Sequence, residues 1–265
     1  MGYHGGMQSA VTPAAGAHSM EPVPGALARL GRIAAALAAA TFIVCLPVVL
    51  ITSNVRVLVS DVGYYRHGLR AYGAEAATGV PLSELDRAAQ EIVDYFENDA
   101  STLRIVVSVS GQEEPLFNTR ETQHMADVKK VMRFVFRLNE FSLVYVLAYV
   151  TCVFLWSRER GLRSLAVQSL IGLGVGFAFV GVIGAFALTG FDQAWTEFHK
   201  LVFHNDLWLL DPATDHLIQM FPEPFWKEAT YLVGGLALAE TVLVVVLATG
   251  YLLFSRGSRT GAPAS

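Results

Sequence analysis

Two stretches hold most of the chain's candidate chemistry. "NTRETQHMADVKK" (118–130) carries His124 with Arg120, Glu121 and Asp127 around it, and "FHKLVFHNDLW" (198–208) carries His199, His204 and Asp206 among aromatic residues. Imidazole, with an ordinary pKa near 6.5, both accepts and returns a proton at neutral pH, so paired histidines suit general acid–base work. Asp127 and Asp206 are candidates to orient the rings as second members of dyads, and Arg120 is a candidate donor to a developing oxyanion. A zinc site is the competing reading for His199 and His204. Their separation of five residues suits a helix face poorly, and the chain has neither H-E-x-x-H nor a cysteine pair, so no metal or other cofactor is expected. His67 and His216 read as polar surface residues, while His4 and His18 lie in a tail far from the rest.

These residues need a scaffold, and composition points to a membrane. The chain is 53% hydrophobic and 16% charged, with a mean hydropathy of +0.44. Four stretches are long enough to cross the roughly 30 Å hydrocarbon core, which takes about 20 helical residues. They run from about Ile33 to Thr52 with a kink expected at Pro47, from Phe141 to Trp156 with 131–138 leading in, from Leu165 to Leu188, and from Thr230 to Phe254. One expected flank class holds Arg29, Arg32, Arg158, Arg160, Arg163, Arg256 and Arg259 against only Glu21 and Glu159. The loop at about 191–228 holds seven acids against Lys200 and Lys227. Both termini are therefore expected in the cytoplasm, with two large loops facing out. The first span reads as an uncleaved anchor, since its apolar run is too long for a signal peptide and no clean A-x-A site follows. A net charge of −4 gives no reason to expect nucleic acid. Cys45 and Cys152 fall inside spans and read as small buried hydrophobes rather than nucleophiles.

The expected architecture is mainly α and integral to the membrane. Four transmembrane helices carry a small α+β domain between spans 1 and 2 and an aromatic interfacial loop between spans 3 and 4. The organisation reads as a disordered cytoplasmic tail (1–25), a membrane domain (26–254) containing outside loops 53–138 and 189–229, and a C-terminal tail (255–265). In the first loop, 81–98 has the apolar stripe of a helix, with Ser83 as its expected cap. Residues 101–111 read as a strand returning through 115–119, across a turn near Gly111. Asn118 with Glu121 three residues on signals a helix start that carries His124 down into the second span, with Asp127 at i+3 close enough to touch the ring.

The second loop gathers Trp195, Trp208, Trp226 and Phe198, aromatics of the kind that settle at headgroup level and contact lipid. Asp211-Pro212 signals a short helix ending before Pro222. "GLGVG" (172–176) signals close helix packing. Glu240 lies deep in the fourth span, where a protonated state or a bond to Thr151 or Gln168 is expected.

"TRETQHMADVKKV" (119–131), "FHKLVFHNDLWLLDPATDHLIQMFPEPFW" (198–226), and "TGVPLSEL" followed by "IVDYF" resemble the lipoprotein intramolecular transacylase (Lit) family of bacterial membrane proteins. The similarity runs from about residue 35 to 250. It implies a pair of reactive histidines on the outer face of the cytoplasmic membrane, falling on His124 and His199 with His204 a looser match. It also implies a substrate, a diacylglyceryl-modified lipoprotein held in membrane lipid, whose sn-2 acyl chain moves to the N-terminal cysteine amine. Such a substrate brings its own nucleophile and electrophile, so the absence of a reactive cysteine is no obstacle. An acyl-imidazole intermediate remains open. Two other classes remain open on the residues: a different membrane hydrolase or metalloenzyme, and a non-catalytic anchor displaying an interaction domain.

Overall fold

The computed structural model describes residues 1–2, 24–156 and 158–260. The chain divides into two units, residues 1–37 and 38–265. In the first, the described structure is the start of helix α1, Pro24–Ser60, which continues into the second unit. Most of the N-terminal tail, with His4 and His18, lies outside the described residues, as does the segment from Gly261 onward.

Four helices are long and apolar enough to cross a membrane: Gly25–Ser60, Thr119–Trp156, Gly161–Val182 and Glu223–Ser255. The second is α5 (Thr119–Trp156), the third lies in α6 (Arg158–Thr189), and the fourth lies in α9 (Glu223–Thr260). At about 1.5 Å per residue, the 38 residues of α5 extend about 57 Å, nearly twice a bilayer core. All of its charged side chains fall in the first 22 residues, and Phe141–Trp156 carries none. The membrane-spanning segment is thus the apolar second half, and His124 stands nearly five turns before Phe141.

Within the bundle, α6 packs against α1 through the G-x-x-x-G pair, giving the close approach its spacing predicts. A Cβ at Gly172 would come within 2.6 Å of the Ile43 carbonyl oxygen, and one at Gly176 within 2.4 Å of Pro47 Cβ. Pro47 has no N–H to offer the carbonyl four residues back, which is that of Ile43, so the glycine approaches the carbonyl the proline leaves unpaired. Several polar side chains pair between the long helices. Asn139 donates to Thr52 Oγ1 at 3.1 Å and Ser53 Oγ at 2.8 Å, and Tyr149 donates to Gln168 Oε1 at 2.9 Å. Gln168 is therefore engaged with Tyr149, and Glu240 accepts from Asn54 Nδ2 at 2.9 Å rather than from Thr151 or Gln168. Cys45 is buried, but Cys152 is exposed on its helix, contrary to the expectation of two buried thiols.

Between α1 and α5 the chain builds a second layer with its own apolar core. Helices α2 (Val62–Ala71), α3 (Ala74–Thr78) and α4 (Leu82–Glu97) precede a hairpin of β1 (Val106–Val109) and β2 (Gln112–Pro115). The stripe of α4 is buried as its spacing predicts, through Leu85, Ala89, Ile92, Val93 and Phe96. Its cap differs: the N-cap position is Pro81, Ser83 sits inside the first turn, and the Leu82 N–H is satisfied by Glu75 Oε1 of α3 at 3.1 Å. The hairpin is shorter than the predicted strands and its partner is 112–115, not 115–119. Ser110 and Gly111 both have positive φ (51° and 82°), the tight two-residue turn that fixes this register. Residues on either side go to the core instead, where Leu103, Ile105, Leu116 and Phe117 join Leu85, Ile92 and Met125.

Candidate active site

Helix α5 starts with a reciprocal cap. Asn118 Oδ1 accepts from the Glu121 N–H at 3.1 Å, and Glu121 Oε2 accepts from the Asn118 N–H at 2.7 Å. The other oxygen of Glu121, a residue only 2% exposed, accepts from the Leu217 N–H at 2.7 Å. Leu217 lies in α8 (His216–Met220), so Glu121 clamps the start of one helix to the start of another. Asn118 Nδ2 adds a bond to Asp215 Oδ1 at 2.8 Å. The predicted helix start at Asp211-Pro212 is a turn instead. Asp211 Oδ1 accepts from the Ala213 N–H at 2.9 Å, and Asp215 occupies the N-cap position of α8.

His124 follows one turn after this clamp. The second imidazole arrives on α7 (Phe191–Val202), a helix where only an aromatic loop was predicted. Trp195 and His199 are four residues apart on it, and the His199 ring Nδ1 is 2.8 Å from the Trp195 carbonyl oxygen. Since a carbonyl only accepts, that nitrogen carries the proton and Nε2 holds the free lone pair.

The two rings meet with centroids 6.1 Å apart and planes inclined by 33°. Both are buried, at 6% and 8% exposure. Phe203 lies against both, 5.1 Å from His124 and 5.6 Å from His199. Trp195 and Trp208 flank His199 at 4.7 and 5.1 Å, and Trp226 stacks on Trp195 at 5.2 Å. His124 Nδ1 is buried with no hydrogen-bond partner. Burial, with His199 beside it and only partial compensation from Asp127, pushes the His124 imidazole down to about 4. Burial also lowers His199, against the opposing effect of the Trp195 carbonyl. Both rings are neutral at pH 7.

The carboxylates do not orient these rings as expected. Asp127 accepts from Lys130 Nζ at 2.8 Å and from Asn205 Nδ2 at 2.9 Å, and Lys130 holds it below the usual carboxylate range. Asp206 contributes its backbone carbonyl, which accepts from the Arg120 guanidinium at 2.9 Å. Arg120 and Asp127 thus fasten the 203–208 segment onto α5 from two sides. Asn205, the residue that reaches Asp127, was not singled out in the sequence, although it stands between His204 and Asp206. Phe203 and Trp226 also close on the pocket where only general headgroup contact was expected. Phe198 is 41% exposed on α7. His204 is exposed, and His67 is exposed with Glu228 Oε1 at 4.0 Å. His216 pairs with the Leu116 carbonyl at 2.7 Å. Among the described residues, no three acids, histidines or cysteines gather as metal ligands.

Four membrane-length helices bearing a capped layer over two facing neutral imidazoles define a multi-pass membrane protein with a buried histidine pocket. The chain belongs to the lipoprotein intramolecular transacylase (Lit) family, whose profile matches residues 40–226. It is 32% identical over 181 residues to an uncharacterized protein of Aquifex aeolicus (strain VF5), covering 63% of this chain and 76% of that one. The integral membrane transacylase Lit of Bacillus cereus has the same fold, with a TM-score of 0.65 and 18% identity over 88% of this chain and 99% of that one. A form of that protein with a histidine replaced by arginine gives a TM-score of 0.66 at 17% identity, covering 88% and 98%.

Proposed function

We propose that this protein moves the sn-2 acyl chain of a diacylglyceryl-modified lipoprotein onto the amine of its N-terminal cysteine, leaving a lyso-form lipoprotein. The observation that carries this reading is the pair of neutral, facing imidazoles, one with a fixed tautomer, in an apolar pocket within a membrane protein. The amine, with an ordinary pKa near 7.7–8.0, first loses a proton to become nucleophilic. Its nitrogen then adds to the ester carbonyl carbon. His199 is suited to take the second amine proton at Nε2, because the imidazolium so formed keeps its bond to the Trp195 carbonyl. His124, held neutral, is suited to donate a ring N–H to the oxyanion. Collapse breaks the ester C–O bond, and the glyceryl oxygen takes the proton back from His199. An amide and a free sn-2 hydroxyl result, and His199 returns to its starting state. Arg120, already bonded to the Asp206 carbonyl, acts in this scheme by holding the loop rather than as an oxyanion donor.

The arginine-rich flanks support termini in the cytoplasm, which puts the histidine pocket on the outer face, where signal-peptide cleavage frees a lipoprotein's amine. The test is mass spectrometry of the N-terminus of a lipoprotein co-expressed with the protein in a bacterium lacking other N-acylating activity. N-acyl, S-monoacylglyceryl cysteine is the expected product. An unchanged diacylglyceryl cysteine with a free amine, in the presence of well-inserted protein, overturns the reading.

A further inference from the structure

The two histidines stand at the junction of two small cavities that run in different directions. One, of about 100 Å³, is walled by Ile92, Met125, Leu210, Leu217, Ile218 and Phe221, all belonging to the layer beyond the membrane span. The other, of about 120 Å³, is walled by Val59, Val131, Met132, Phe198 and Phe203. Seven residues line both, His124, His199, Tyr65 and Phe96 among them. Along α5 the second cavity leads toward the apolar half: Val128, Val131 and Met132 follow His124 on the stripe that enters the span. Its other wall is α7, whose Leu201 and Phe198 remain 81% and 41% exposed, an apolar surface of the kind an interfacial helix turns to lipid.

Resting on the transacylase reading, we infer that the migrating acyl chain occupies this second cavity and passes under α7 along Val131 and Met132 into the bilayer. The ester carbonyl then sits between the imidazoles, beside the buried and unpartnered Nδ1 of His124. The first cavity leads among residues of the outer layer's core, Ile92, Met125, Leu217 and Phe221, so a chain entering it would turn away from the membrane span. The second instead leads from the two histidines past Val59, Val131, Met132, Phe198 and Phe203, all apolar, toward the span. Val131 is seven residues past His124, about 10 Å along the helix axis. A palmitoyl chain therefore crosses Val131, whereas a butanoyl chain stops short of it. Val131 and Met132 are on this account the residues that sense acyl-chain length.

The experiment compares two synthetic diacylglyceryl-cysteine peptides in mixed micelles, one with palmitoyl and one with butanoyl at sn-2, with the N-acylated product measured by mass spectrometry. Overfilling a packed apolar site costs about 1–3 kcal/mol. Val131→Trp is accordingly expected to lower the palmitoyl-to-butanoyl rate ratio about ten- to a hundred-fold. Butanoyl turnover by the same preparation reports that the variant is folded. Ile218→Trp fills the first cavity instead and is expected to leave the ratio as in the parent protein. A shift of the ratio by Ile218→Trp and not by Val131→Trp overturns the assignment. If Val131→Trp processes neither substrate, Val131→Phe is read in its place, and equal loss on both chains there also overturns it. Failure of the unsubstituted protein to N-acylate either peptide removes the transacylase reading itself, a result distinct from an unmoved ratio.

Discussion

His199 and His124 are both imidazoles, but their neighbours divide the work between them. The Trp195 carbonyl fixes the His199 tautomer, whereas His124 Nδ1 has no protein partner. If both act in one step, either His124→Ala or His199→Ala removes nearly all N-acylation, and the double variant adds little to the worse single one. His204→Ala, at an exposed position, keeps substantial activity. The same co-expression assay reads all four variants, and an essential His204 would reopen a three-histidine site. The pH dependence follows from the depressed ring pKa values. A histidine whose pKa is lowered stays neutral, and therefore competent as a base, until the pH has fallen below 6.5. On the acid side, kcat/KM is expected to fall first with a slope of one through the substrate amine near 7.7–8.0. The slope then steepens to two below pH 6.5, as the His199 ring is protonated. A second break at or above 6.5, in a profile measured on the diacylglyceryl peptide, contradicts a buried base. The choice of His199 as the partner of His124 comes from the family resemblance, since His204 and His216 share the 198–226 segment with it and residue type alone does not separate them. Asp127 was misread for a local reason. Helix spacing points it at His124, while its partner Asn205 arrives from 78 residues away, a distance in sequence that no periodicity reports.

At the scale of elements, the sequence was most readable where one local rule decided the outcome. The Asn118–Glu121 cap and the α4 stripe each depend on residues within a few positions of one another. Helix α7 was missed because its aromatics, Phe191, Trp195 and Phe198, suit an interfacial loop as well as a helix. Only packing on Trp226 and Phe203 makes the helix visible. The β-branched run at 101–111 overstated its strand, since Ser110 and Gly111 turn the chain early and leave only four paired positions on each side. The α1–α6 contact gives a sharp test of element packing. Gly172→Ala drives a methyl to 2.6 Å from a backbone oxygen that cannot move without moving α1. Such overpacking costs about 1–3 kcal/mol, so its thermal unfolding in detergent is expected at a clearly lower temperature. Gly250→Ala in α9 meets nothing within 4 Å and is expected to be neutral or slightly stabilising, since alanine is the better helix former by about 1 kcal/mol. Equal behaviour of the two variants would mean that α1 and α6 are not in contact in the membrane.

For the molecule as a whole, the four spans could be read from hydropathy because lipid permits so few backbone solutions. The pairing of polar groups between spans could not, since it depends on helix rotation. Asn54 shows this: it falls just past the predicted end of the first span, yet α1 continues to Ser60 and brings it to Glu240. The bond joins the first and last spanning helices and gives Glu240 a structural reason to be there. Trp226, which stacks over the histidine pocket, precedes Glu240 by 14 residues on the same helix, about 21 Å along its axis. At that separation the carboxyl does not reach the ester. Its role is then to accept the Asn54 amide, a task the amide oxygen of glutamine performs as well. Glu240→Gln is therefore expected to insert normally and to N-acylate at about the parent rate. Glu240→Leu removes the acceptor, but Asn54 Nδ2 retains the Leu50 carbonyl at 2.9 Å, so a drop in thermal stability with activity kept at permissive temperature is expected. Loss of turnover in Glu240→Gln, with insertion and melting unchanged, would mean that a proton moves through this carboxyl and that the two histidines do not complete the reaction alone.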